Sequence, residues 1–116
     1  MSIATKQGKQ VGEREELELE AAVLRRLLRH FDERKDVQNI ELMILAGFCR
    51  NCLSKWLVEE GRERGLDVDM DSAREKVYGM PYDQWKAQHQ PQATPEQLAR
   101  YEAAEKAKAK TKTKGS

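Results

Sequence analysis

Residues 36–61, DVQNIELMILAGFCRNCLSKWLVEEG, decide the fold class of this 116-residue chain. Apolar side chains recur through the segment at spacings of three and four, which is the pattern of an amphipathic helix. The first half, around Ile40 and Ile44, is apolar on nearly every side, which predicts burial among neighbouring helices. We therefore expect one long central helix here. Asp36 is its expected N-cap, and Gly47 is expected to mark the close approach of a crossing helix.

Further helices are predicted on both sides of this segment. An upstream stripe at spacings of three and four predicts a first helix from Glu13 to about Arg34, and it consists of Leu17, Ala21, Leu24, Leu28 and Phe31. Downstream, a third helix is expected to start at Asp71 and end at Gly79, since glycine commonly ends helices. A short helix through Trp85 follows. The fold class is all-α, a compact bundle of four to five helices around the long buried central helix.

Four segments are expected along the chain. Residues 1–12 are polar and read as a disordered N-terminal arm, and residues 13–90 as the helical domain. Residues 91–105 form a C-terminal helix, opened by a capping box in which Thr94 caps and Gln97 folds back. The remaining residues, 106–116, form a lysine-rich tail that is expected to be disordered.

Composition restricts the classes of function and partner. The 21 Lys and Arg nearly cancel the 20 Asp and Glu, leaving a net charge of +1 that favours neither nucleic acid nor a membrane surface. Only weak contacts with nucleic acid, through the lysine-rich tail, are expected. No signal peptide and no stretch long enough to span a bilayer is recognisable, so we expect a cytoplasmic protein.

Cys49 and Cys52 are the strongest local feature, because residues three apart share one face of a helix. Three interpretations compete. In the first, which we favour, both are core thiols, since their face also carries leucines and Trp56. In the second they bind zinc, although only His30 and His89 are available to complete a ligand set within one chain. A site shared across a homodimer would lift that limit.

The third interpretation is redox chemistry of the cysteine pair. Reactive dithiols usually lie at the N-terminus of a helix, whereas the predicted helix places these cysteines in its middle. A zinc deaminase is excluded, because Phe48 stands where that motif needs proline, and the upstream His-x-Glu or Cys-x-Glu element is missing. No cofactor is predicted, and zinc stays open.

Two surfaces are candidates for binding a partner. A polar face of the central helix comprises Arg50, Asn51, Ser54 and Lys55, and an aromatic corner comprises Tyr78, Tyr82 and Trp85. A solvated helix face and a small closed core are the alternative explanations. Trp56 and Trp85 are also expected to border a groove.

Three stretches together resemble an uncharacterised bacterial family, domain of unknown function 1244: DVQNI at 36–40, LAGFCRNCLSKW at 45–56 and VYGMPY at 77–82. The resemblance covers about residues 24–89. It implies a compact helical domain, and it implies no activity, substrate or cofactor.

The sequence therefore leaves the function unknown. We favour a small non-enzymatic interaction module that binds an unknown protein partner through the polar face and the aromatic corner. Under this hypothesis, Arg50→Ala abolishes partner binding and leaves stability nearly unchanged. The alternative is a thiol-dependent protein that uses Cys49 and Cys52 for metal binding or redox chemistry. We also expect a homodimer, because a short chain has few helices with which to bury the apolar surface of the central helix, and a second copy would bury the rest.

Overall fold

The computed structural model describes residues 3–115, with side chains as far as Lys108. This part of the chain contains six helices and no strand, apart from one isolated antiparallel bridge between Ala4 and Gln10. The predicted all-α class is thus confirmed. None of the helices in the described range is long and apolar enough to cross a membrane. The chain divides into two units, Met1–Glu33 and Arg34–Ser116.

The first unit consists of a short turn and the helix α1, Glu13–Glu33, whose extent matches the prediction closely. The turn lies within the segment predicted to be disordered, of which residues 1 and 2 fall outside the described range. Backbone hydrogen bonds close it, from Thr5 N–H to the Lys9 carbonyl and from Val11 N–H to the Ile3 carbonyl. Glycine at position 8, with a φ of 81°, supplies the left-handed residue that this reversal needs.

The second unit contains α2 (Asn39–Ala46), α3 (Arg50–Glu63), α4 (Met70–Tyr78), α5 (Tyr82–His89) and α6 (Pro95–Gly115). Helix α3 packs on α4, α4 on α5, and α2 on α6. The long central helix of the prediction is wrong, because two helices occupy that segment. The predicted burial of its first half is also wrong: α2 has no buried residue, and Leu45 is 85% exposed.

Gly47 separates α2 from α3. Its φ of 75° and ψ of 12° are left-handed, and its N–H donates to the Met43 carbonyl over 3.0 Å, which is a glycine C-cap. The close backbone approach predicted at this glycine is not found among the described residues, although α6 packs on α2. A Cβ placed there would meet only the Lys108 side chain, at 3.9 Å. Asp36 is not the N-cap either: it pairs with Arg34 at 3.0 Å, and Gln38 is the N-cap of α2.

A close approach does occur at Gly61, which is buried inside α3. A Cβ at this position would lie 2.5 Å from Val68 Cγ2 and 3.2 Å from the Leu66 carbonyl oxygen. Leu66 also donates its N–H to the Gly61 carbonyl over 2.8 Å. The missing side chain therefore lets the loop after α3 fold back onto the helix.

Local signals place the ends of the later helices. Asp69 caps α4 by accepting from Ser72 N–H at 2.9 Å, two residues before the predicted start, and Gly79 ends the helix as expected. The capping box before α6 is confirmed, since Gln97 N–H donates to Thr94 Oγ1 over 3.1 Å and Thr94 N–H to Gln97 Oε1 over 2.9 Å. Helix α6 extends to Gly115, through residues predicted to be disordered. Alanine and lysine are both good helix formers. Ser116 lies outside the described range.

Candidate functional site: a dithiol at the start of α3

The break at Gly47 moves both cysteines from the middle of a helix to the beginning of one. Cys49 is the N-cap of α3, with extended backbone, and Cys52 is the third residue of that helix. Their Sγ atoms are 3.9 Å apart, and both thiols are free. The prediction of mid-helix cysteines is therefore wrong. The pair occupies the position at which reactive dithiols are usually found.

The two thiols differ in accessibility. Cys49 is only 6% exposed, whereas Cys52 is half-buried. Burial raises the pKa of the Cys49 thiol, and the backbone N–H groups of Cys52 and Asn51 act in the opposite direction. Cys49 is thus held mainly as the neutral thiol, and Cys52 is the sulfur that a reagent reaches first.

A groove of about 560 Å³ opens beside Cys49, between the start of α2 and the region around α5. Its wall is rich in amide groups, with one aromatic ring and one lysine. The lining residues include Gln38, Asn39, Cys49, Asn51, Tyr82 and Lys86. The groove therefore offers hydrogen-bond donors and acceptors next to a thiol.

Arg50 is 1% exposed, so its placement on a solvated polar face was wrong. Its Nη1 donates to the Val37 carbonyl over 2.8 Å and to Asn39 Oδ1 over 3.1 Å, and its Nη2 donates to the Arg34 carbonyl over 2.9 Å. The guanidinium carbon lies 5.1 Å from the centre of the Trp85 ring. Burial lowers the pKa of Arg50. The Arg50 side chain therefore holds the backbone segment that precedes α2 against α3.

The other three residues of the predicted polar face have separate environments. Ser54 is fully buried, and its hydroxyl donates to the Arg50 carbonyl over 3.1 Å, so its predicted exposure is also wrong. Asn51 is half-buried and accepts from Arg74 Nε at 3.2 Å. Lys55 alone is exposed. Only Asn51 and Lys55 of this set therefore offer surface to a partner.

The aromatic corner is mostly core. Tyr78 is 2% exposed and Trp85 is 1% exposed, with ring centres 4.9 Å apart in an edge arrangement. Asn39 Nδ2 donates to the Tyr78 hydroxyl over 3.0 Å, and burial raises the pKa of Tyr78 to about 12. Tyr82 is half-buried, 4.9 Å below the Arg74 guanidinium. A groove bordered by Trp85 is excluded by its burial.

The family membership of the chain follows from its second unit. A family model described as "Protein of unknown function (DUF1244)" matches residues 37–103, more than half of the chain. The chain belongs to the DUF1244 family. No curated protein matches it. The match starts later than the predicted range and extends further, taking in α2 to α5 and part of α6.

Every element of the candidate site lies inside the DUF1244 match: the dithiol, the groove beside it and the buried Arg50. The function of DUF1244 is unknown, so membership assigns no activity, substrate or cofactor. The resemblance inferred from the sequence is confirmed. The chemistry of the site has to be argued from its geometry.

The ligand set that zinc would need is not assembled in the described part of this DUF1244 protein, where no three His, Cys, Asp or Glu side chains come together. His89 instead lies beside Trp85, with ring centres 5.9 Å apart and ring planes tilted by 51°. A different third sulfur lies close to the dithiol: Met43 Sδ is 3.7 Å from Cys52 Sγ. Sequence reasoning missed Met43, Asn39 and Arg74. The helix break that brings these residues together did have a signal in the sequence. It was the glycine that precedes Phe48 and a cysteine, since glycine often stands just after the end of a helix.

Proposed function

We propose that Cys49 and Cys52 form a reversible dithiol, so that this DUF1244 protein exchanges electrons with small disulfides. The observation that carries the proposal is the 3.9 Å separation of two free Sγ atoms at the N-terminus of α3. A disulfide requires about 2.05 Å between the sulfurs, and side-chain rotation at residues three apart can supply the difference.

The difference in exposure between the two thiols suggests an order of events. Cys52, the more accessible thiol, attacks a low-molecular-weight disulfide such as oxidised glutathione and releases one small thiol, leaving a mixed disulfide. Cys49 then loses its proton and attacks the Cys52 sulfur as the thiolate, which closes the Cys49–Cys52 bond and releases the second small thiol. Two electrons pass from the protein to the small disulfide, and the two protons end on the two released thiols.

The test uses the reduced full-length protein, oxidised glutathione and intact-mass analysis. We expect the wild type to lose both free thiols without retaining glutathione, and Cys49→Ser to retain one glutathione on Cys52. Serine is a favourable N-cap, so this variant keeps the start of α3. Cys52→Ser is the matched control, and its buried Cys49 is expected to react only after denaturation. If both wild-type thiols survive in the native protein and react only on unfolding, they are core residues and the proposal fails.

A second candidate function is an interaction module whose partner is a second copy of this chain. The supporting observation is Leu45, 85% exposed on a helix that has no buried residue. It lines a groove of about 420 Å³ between α2 and α6. Contiguous apolar surface commonly marks an interface, and Leu45 lines this groove together with Val37, Leu42 and Ile44. A twofold pairing would bring two such surfaces together.

Light scattering tests this self-association. We expect a dimer mass for the wild type and a monomer mass for Leu45→Glu, with an unchanged helical spectrum. Leu66→Glu is the matched control, because Leu66 is also exposed, at 60%, and lies after α3. A wild type that remains monomeric at high concentration would exclude the homodimer.

A further inference from the structure

Three sulfur atoms meet where α2 turns into α3. Cys52 Sγ lies 3.9 Å from Cys49 Sγ and 3.7 Å from Met43 Sδ. The left-handed Gly47 causes this meeting, because it reverses the chain directly after the last turn of α2 and brings Met43 back to the first turn of α3. The three residues follow a Met-x5-Cys-x2-Cys spacing.

The two sulfur–sulfur separations at Cys52 match those around one metal ion. Three sulfurs lying in a plane at about 2.3 Å from a shared ion are about 4.0 Å from one another. The two distances at Cys52, 3.9 Å and 3.7 Å, agree with this spacing. Two sides of the triangle that a three-sulfur site needs are thus already present, and both meet at Cys52.

The ligand types restrict the metal. Thiolate and thioether sulfur together select Cu(I), whereas protein zinc sites are built from cysteine, histidine and carboxylate. A thioether as third donor therefore favours Cu(I) over Zn²⁺. The described residues bring no histidine or carboxylate to the pair that would complete such a zinc set.

The surroundings also suit a soft monovalent ion. Cys49 is buried, while Met43 and Cys52 are half-buried, so an ion has a path in and little contact with water afterwards.

We propose that Met43, Cys49 and Cys52 bind one Cu(I) ion per chain. The ion stays in the +1 state, and the protons that the thiols lose on binding pass to the buffer. The site needs both thiols reduced, so Cu(I) binding and the Cys49–Cys52 disulfide exclude one another. This inference goes beyond the proposed dithiol function and shares only the two thiols with it.

The test is an anaerobic competition between the reduced full-length protein and a chromophoric Cu(I) chelator. We expect one Cu(I) per wild-type chain, at least a tenfold weaker affinity for Met43→Leu, and loss of binding for Cys52→Ser. Leucine has nearly the volume of methionine, so Met43→Leu should fold normally, which circular dichroism checks. Met70→Leu, at the start of α4, is the matched control and should bind as the wild type does.

The outcomes separate the two proposals. A wild type that takes no Cu(I) from the chelator, or a Met43→Leu variant that binds as tightly as the wild type, overturns the three-sulfur site. Tighter binding of Zn²⁺ than of Cu(I) to the wild type overturns it as well. Met43→Leu should still form the disulfide with oxidised glutathione, so failure of the dithiol function is seen in a different assay.

Discussion

Arg50→Ala is expected to destabilise the protein strongly, the reverse of what the solvated-face interpretation predicts. The arginine is 1% exposed and donates from one guanidinium to the carbonyls of Arg34 and Val37 and to Asn39 Oδ1. Hydrogen bonds from charged donors contribute about 1.5 to 3 kcal/mol each, and each buried acceptor left without a donor costs about 1 to 3 kcal/mol. We expect the whole substitution to lower the free energy of unfolding by about 3 to 5 kcal/mol. This is less than the sum of the separate losses, because the variant no longer bears the cost of removing the Arg50 charge from water.

For a unit of this size, about 4 °C to 8 °C of melting temperature is lost per kcal/mol, so Arg50→Ala should melt at least about 12 °C below the wild type. Arg50→Lys keeps the charge but not the planar fork of donors, and we expect a smaller loss of about 2 kcal/mol. The assay is urea and thermal unfolding of the full-length protein, followed by circular dichroism. Lys55→Ala is the control, since an exposed lysine on the same helix should change stability by less than about 0.5 kcal/mol. An Arg50→Ala variant as stable as Lys55→Ala would refute the reasoning, because the carbonyls would then find water.

Two further predictions concern stability. Gly61→Ala should lower the free energy of unfolding by about 1 to 3 kcal/mol in urea titrations, because the added Cβ would meet Val68 Cγ2 at 2.5 Å. Gly65→Ala is the control: its Cβ would meet no atom, so its loss of stability should reflect only the backbone strain at a φ of 73°. Tyr78 has its pKa raised to about 12 by burial, so the folded state holds the phenolic proton more tightly than the unfolded state. Its contribution to stability is therefore complete below pH 10 and is lost as the pH rises toward 12. Across that range the free energy of unfolding should fall less steeply with pH for Tyr78→Phe than for the wild type. Equal slopes would contradict the raised pKa of Tyr78.

The candidate site was only partly predictable. The cysteine pair stood out because of its spacing, but its position at a helix N-terminus depends on Gly47. In a sequence, a glycine at such a position is as compatible with the end of a helix as with a close contact between two helices. Burial of Arg50 had no signal in the local pattern, because on a single continuous helix it falls among polar neighbours. Splitting that helix changes the direction in which every side chain after Gly47 points, and this is why the predicted polar face does not exist as one surface.

By itself, the sequence determined the all-α class, the extent of α1, the ends of helices at Gly79 and Thr94, and membership of DUF1244. These features depend on apolar periodicity, on capping residues or on contiguous motifs, all of which act over a few positions. Only the tertiary structure decided that Arg50 reaches carbonyls 13 and 16 residues earlier, and that Met43 meets Cys52 nine residues later. Contacts at such separations are set by the direction in which the chain leaves a turn. The backbone dihedral angles at Gly47 determine that direction here.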